Sequence, residues 1–220
     1  IKDYTKAIEL DPNDTLSYNN RGIVKEDLKD YKGAIEDYTK AIKLDPNYAL
    51  PYYNLGIYKH DIEDYKGAIE DYTKAIELDP EYANSYYNRA ITKYELEDYK
   101  GAIEDYTKVI ELNPEYAGAF LNRGFTKEKL DDYKGAIKDY TKAIELDPEN
   151  AIPYYNLGIT KHDSEDYKGA IKDYTKAIEL DPEYVNAYII RGFSKNLLED
   201  YRGAIKDYTK AIELDPNDSI

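Results

Sequence analysis

The chain repeats itself every 34 residues, and that period limits its fold more than any other feature. Asp-Tyr-Lys-Gly-Ala-Ile starts at Asp30, Asp64, Asp98, Asp132 and Asp166, and returns with Arg for Lys from Asp200. Pro12, Pro46, Pro80, Pro114, Pro148, Pro182 and Pro216 keep the same step. A repeat of this length is one supersecondary unit, too small to bury its own apolar face, so neighbours must stack on it. The expected organisation is a single array over 1–220. It has a half repeat at 1–14, then repeats one to six at 15–48, 49–82, 83–116, 117–150, 151–184 and 185–218.

Each repeat reads as two amphipathic helices with essentially no strand. In repeat one, Tyr18, Gly22, Lys25 and Leu28 recur at three- and four-residue spacing; Tyr31, Ala34, Ile35, Tyr38, Ala41 and Ile42 continue the stripe. Helices are expected near 15–28 and 31–44. Asp30 stands where a carboxylate can accept the orphan amides of the second helix. Leu44-Asp45-Pro46 stops that helix, because proline disfavours a helical residue before it and has no N–H. Gly22, Ala34 and Ala41 are small where the helices should cross. The fold class is all-α, an α-solenoid of antiparallel helix pairs.

The sequence resembles the tetratricopeptide repeat family. Tyr52, Leu55, Gly56, Ala68, Tyr72, Ala75 and Pro80 of repeat two match its pattern, and the spacing agrees six times over. There are departures. Lys25, Lys59, Lys93, Lys127, Lys161 and Lys195 replace a Tyr, and Arg21, Arg89, Arg123 and Arg191 replace a large apolar residue. Repeat three has Ala90 for Gly and Val109 for Ala. Lys and Arg stems can cover apolar surface, and Asp37, Asp71, Asp105, Asp139, Asp173 and Asp207 are plausible partners for their heads. The resemblance implies a right-handed superhelix.

Composition narrows the function. A net charge of −15 sets the chain against phosphate backbones and anionic bilayers, so neither nucleic acid nor membrane is an expected partner. No apolar run approaches a membrane span. With no Cys and two His, Cys-ligated metals, thiol nucleophiles and His-based triads have nothing to draw on. No cofactor is expected. His60 and His162 lie three repeats apart and read as groove-lining polar residues, not ligands. The recurring carboxylates read as a solvated face. The chain is not expected to be an enzyme. It lacks Met altogether, so it is expected to be processed or cut from something longer; a cytoplasmic location is favoured.

The resemblance also implies that first helices line a concave groove. Its fifth column reads Asn19, Tyr53, Tyr87, Leu121, Tyr155 and Ile189, and its sixth Asn20, Asn54, Asn88, Asn122, Asn156 and Ile190. Its ninth column includes Ile57, Ile91 and Phe125. Aromatic and aliphatic contact area beside a ladder of amides suits an extended peptide backbone. The expected binding residues are Asn20, Asn54, Asn88, Asn122, Asn156, Tyr53, Tyr87, Leu121, Tyr155, Phe125, Ile57 and Ile91. An alternative for the Asn column is that it ties neighbouring helices together. Column five holds no Lys or Arg, so a charge clamp for a chaperone's C-terminal carboxylate is not expected.

The expected function is a non-enzymatic scaffold that holds a partner's peptide segment, a basic one being favoured by the charge. The alternatives are self-association, or service as the recognition arm of a larger enzyme. Ile1, Tyr4, Ile8, Tyr201, Ile205, Tyr208 and Ile212 should be partly uncovered, and 217–220 are too few for a capping helix, so homo-association through the ends is expected. One asymmetry sits on the second helices. Column 22 is Glu36, Glu70 and Glu104, then Lys138, Lys172 and Lys206. Repeats two and five differ only at Leu50/Ile152, Tyr58/Thr160, Ile62/Ser164 and Glu70/Lys172, which points to duplication of a three-repeat block.

Overall fold

A computed structural model of the protein describes residues 1–216, so the expectation about 217–220 lies outside the described residues. Thirteen helices account for the described chain, without strands. A leading helix, α1 (Lys2–Leu10), is followed by six pairs. These are α2 (Thr15–Asp27) with α3 (Tyr31–Leu44), α4 (Ala49–Asp61) with α5 (Tyr65–Leu78), and α6 (Ala83–Glu95) with α7 (Tyr99–Leu112). Then come α8 (Ala117–Glu128) with α9 (Tyr133–Leu146), α10 (Ala151–Asp163) with α11 (Tyr167–Leu180), and α12 (Val185–Leu197) with α13 (Tyr201–Leu214). The chain divides into two compact units, Ile1–Pro114 and Glu115–Ile220.

The sharp turn inside each pair follows from two adjacent residues. Lys29 adopts φ 63° and Asp30 then caps α3 by accepting the Gly33 amide at 3.1 Å. The Asp30 amide bonds back to the Lys25 carbonyl and the Lys29 amide to that of Glu26, both at 2.8 Å. This is the paired closure that ends a helix on a left-handed residue. One aspartate thus seals the end of one helix and the start of the next. Glu63, Glu97, Asp131, Glu165 and Glu199 hold the same left-handed conformation, each before a capping Asp. Extended Asp45, at φ −135° before Pro46, closes α3.

The pairs lock through small residues. Tyr38, Tyr72, Tyr106, Tyr140 and Tyr174 are buried with the alanines around them. A Cβ added to Gly22 would lie 2.5 Å from the Tyr38 ring, which is why the position wants glycine. Ala90 fills that position in repeat three and packs against Tyr106 and Ala102. Within the first unit, α2 meets α4 and α4 meets α6; within the second, α8 meets α10 and α10 meets α12. First helices therefore touch directly in each unit. Second helices reach the next repeat by packing on its first helix, as α3 does on α4 and α11 on α12. That arrangement places the first helices on the tighter side.

Candidate functional site

Two of the column-six amides, Asn54 and Asn88, bond the preceding first helix. Asn54 Nδ2 donates to Asn19 Oδ1 at 3.0 Å, and Asn19 Nδ2 to Asn20 Oδ1 at 3.3 Å. Asn88 Nδ2 donates to Tyr53 Oη at 3.0 Å. Column six of one repeat thus bonds column five of the repeat before it. Asn54 is only 8% exposed, whereas Asn20, Asn88, Asn122 and Asn156 are half-buried.

The aromatic column sits above the buried tyrosines. Tyr53 lies 6.0 Å from Tyr72 and 5.1 Å from Tyr82, Tyr87 lies 5.7 Å from Tyr106, and Tyr155 lies 4.7 Å from Tyr184. Burial pushes the Tyr155 phenol up and the Tyr184 phenol up to about 12, so both stay neutral donors. Leu121 packs on the Ala136–Tyr140–Leu157 cluster. Of columns five, six and nine, the ninth is the most open. Ile23, Phe125 and Phe193 are 39%, 40% and 45% exposed, while Ile57, Ile91 and Ile159 are half-buried. The Lys129 ammonium stands 5.2 Å above the Phe125 ring. In the first unit Ile57, Asn88 and Ile91 come together with His60, Asp61 and Tyr72 around a depression of 160 Å³.

Column twelve makes polar contacts both within and between repeats. Tyr38 donates to Glu26 at 2.7 Å, and Tyr140 to Glu128 at 2.8 Å. Thr160 Oγ1 also donates to Glu128. Burial nevertheless pushes the Glu128 carboxyl above the ordinary range. His60 Nδ1 pairs with Thr92 Oγ1 at 3.0 Å and His162 Nδ1 with Ser194 Oγ at 2.8 Å. Both histidines therefore tie successive first helices together. The Tyr174 hydroxyl, which has no Glu opposite it, is buried without a partner. Among the described residues no three His, Cys, Asp or Glu side chains are placed to hold a metal ion.

The reading of the recurring carboxylates as a solvated face needs correction for one column. Asp37, Asp105, Asp139, Asp173 and Asp207 are buried, because the cations named beside them reach inward. Arg21 grips Asp37 with two bonds of 2.7 and 2.8 Å, and Lys25 adds a third contact at 2.8 Å. Arg89 and Lys93 repeat this on Asp105, Arg123 and Lys127 on Asp139, Arg191 and Lys195 on Asp207. Repeats two and five have Leu55 and Leu157 in place of Arg, so Asp71 and Asp173 have only Lys59 and Lys161. Burial would raise the Asp37 and Asp207 carboxyls, yet the Arg and Lys bonds outweigh it and hold both below the usual range. Burial wins at Asp71 and Asp173, which are raised.

Sequence reasoning missed the larger cavities, which lie on the second-helix side. One of 610 Å³ is lined by Ile144, Tyr154, Leu157 and Lys172. Another of 530 Å³ is lined by Ile178, Tyr188, Lys206 and Lys210. Matched columns line both, so the signal was in the alignment of repeats, but only stacking opens the space.

Comparison with known proteins adds a family and a set of folds. The tetratricopeptide repeat model matches residues 16–48, 83–116, 151–184 and 185–218. Two related repeat models match 59–96 with 129–164, and 37–70. None of the curated protein sequences matches the chain. Among solved structures, MamA from Desulfovibrio magneticus RS-1 is 26% identical, with a TM-score of 0.72 over 78% of this chain and 97% of its own. YrrB, described as a TPR protein with an unusual peptide-binding site, is 25% identical, with a TM-score of 0.70 over 82% and 93%. PilF of Pseudomonas aeruginosa is 19% identical, with a TM-score of 0.77 over 92% of each chain, a likeness of fold alone. Among the described residues no helix is long and apolar enough to cross a membrane.

Proposed function

Because the chain belongs to the tetratricopeptide repeat family, we propose that it is a non-enzymatic scaffold that holds a partner's peptide segment against its first helices. The observation that carries this reading is column nine. Ile23, Phe125 and Phe193 leave apolar area in water at one register position, beside half-buried amides. Such area gains by being covered, and neighbouring Asn and Tyr groups can satisfy the backbone of whatever covers it. In the first unit the contact residues are Tyr53, Ile57, Tyr87, Asn88 and Ile91, with Asn20 at the edge; in the second, Leu121, Asn122, Phe125, Tyr155 and Asn156. Asn54 acts from beneath by orienting Asn19. The net charge favours a basic segment, mainly through its rate of arrival.

The test is selection of binding peptides from a displayed library, followed by titration against Phe125→Ser. The ring is 40% exposed, so the variant should stay folded, with its thermal midpoint lowered by no more than about a few degrees. It should weaken a second-unit ligand by about tenfold, or more. Unchanged affinity for every selected peptide would remove the proposal.

A second reading has its own observation. Tyr201, Ile205 and Ile212 on α13 are 58%, 65% and 53% exposed, and Ile1 beside α1 is also exposed. Near-identical repeats allow one copy to stack on another through these faces. Sedimentation across a concentration series, with Ile205→Lys as the control, decides it. Association abolished by that substitution supports stacking, and a monomer at every concentration excludes it.

A further inference from the structure

We infer that the second-helix side of the second unit is a separate docking surface for an acidic peptide segment with interspersed apolar residues. Column 22 reverses sign between the blocks, from Glu36, Glu70 and Glu104 to Lys138, Lys172 and Lys206. In α9, α11 and α13 each such Lys stands four residues before a second one, at Lys142, Lys176 and Lys210. Like charges at that spacing disfavour their own helix, and an anion laid between them removes the conflict. The later lysines have partners, Lys142 with Glu145 at 2.9 Å, Lys176 with Glu179 at 3.6 Å and Lys210 with Glu213 at 3.5 Å. Among the described residues, Lys138, Lys172 and Lys206 have no carboxylate within ion-pair reach.

Between these cations lie apolar floors. The 610 Å³ cavity opens over Ile144, Tyr154 and Leu157, rimmed by Lys172 and by the paired carboxylates Asp173 and Glu179, and the 530 Å³ cavity over Ile178 and Tyr188, rimmed by Lys206 and by the paired carboxylates Asp207 and Glu213. Successive second helices are not packed directly on each other but meet through the next first helix, and the cavities open between them. Extended chain advances roughly 3.3 Å per residue. A strand crossing the face can bring a carboxylate to each Lys in turn, with the residues between entering the cavities. This chemistry selects a peptide. A phosphate polymer or a bilayer does not fill apolar slots of this size, and the −15 chain repels an extended polyanion. A few carboxylates within a Debye length, about 8–10 Å, sense the local lysines.

The test uses the whole chain and a fluorescein-labelled peptide, Glu-Leu-Tyr-Glu-Leu-Tyr-Glu-Leu-Tyr-Glu, followed by anisotropy at low and high salt. Binding should weaken with salt. It should fall about tenfold or more when Lys138→Glu, Lys172→Glu and Lys206→Glu are combined, a change that installs the residue the first block already folds with. Phe125→Ser should leave it unchanged. Full binding by the triple variant, or equal binding of a peptide with Lys for Glu, would overturn the proposal. So would displacement of the peptide by an equal concentration of single-stranded DNA, which would assign the lysines to phosphate. Loss on Phe125→Ser alone would place the probe on the first helices, defeating this inference and leaving the groove reading standing.

Discussion

At the residue scale, the Asp column shows how one neighbour decides whether a buried charge helps. Asp37 lies in an Arg fork with a Lys beside it, whereas Asp71 has Lys59 alone. Asp37→Asn leaves two inward cations without a carboxylate and should cost about 3 kcal/mol at neutral pH. Asp71→Asn removes a charge that burial already disfavours and should stay within about 1 kcal/mol of the parent. The pH dependence has opposite signs. Asp37 and Asp207, held low, add stability above the unfolded carboxylate value and lose it as pH falls through the folded one. Asp71 and Asp173, held high, favour the fold below the unfolded value, and that contribution disappears as pH rises through the folded one. Urea unfolding of both variants at pH 7 and again below about pH 3.9, the unfolded carboxylate value, checks this: the Asp37→Asn deficit should shrink only in that acid window. A second pair isolates hydroxyls. Tyr140→Phe strips Glu128 of a donor and should cost about 1–2 kcal/mol, while Tyr174→Phe deletes an unpartnered group and should be neutral or slightly stabilising. A larger loss at Tyr174 would contradict this reading of the two sites.

At the element scale, much of the structure was legible in advance. Helices expected at 15–28 and 31–44 run Thr15–Asp27 and Tyr31–Leu44, because a capping Asp and a stopping Pro are local signals. The left-handed residue before each cap was not legible: Lys29 and Glu63 lack the glycine that usually marks it. The double role of Asp30 was hidden for the same reason. The site was only partly readable. The residue types of columns five, six and nine could be read, but whether an Asn faces a ligand or a neighbouring repeat depends on stacking register. Asn54 turned inward to Asn19, and Asn88 reached Tyr53. Consequently Asn88→Ala should cost about 1 kcal/mol of stability. The turn also yields a prediction. Glu63→Gly relieves a strained backbone worth about 1–2 kcal/mol against a glycine entropy loss of about 0.5–1 kcal/mol. Its denaturation midpoint should rise with an unchanged slope, and a lower midpoint would show that the Glu63 side chain contributes more than its backbone costs.

At the scale of the whole molecule, the repetition that builds the fold also distributes function. Buried positions scarcely vary: the tyrosines from Tyr38 to Tyr174 and the small residues around them serve five of the six pairs. Variation collects where side chains reach water. Column nine alternates Ile with Phe, column twelve moves among Glu, His, Tyr and Asn, and column 22 changes from Glu to Lys. The two faces therefore carry different chemistry, amide and apolar on the first helices, cationic on the second helices of the second unit. The central claim is that a peptide partner is held by the first helices. The most direct test is methyl NMR on isoleucine-labelled protein titrated with a library-selected peptide. For a first-unit ligand the δ1 methyls of Ile57 and Ile91 should shift and saturate together with binding, and for a second-unit ligand that of Ile159, while those of Ile144 and Ile178 on the second-helix side stay in place. Shifts confined to Ile144 and Ile178, with the first-helix methyls unmoved at saturation, would contradict the account.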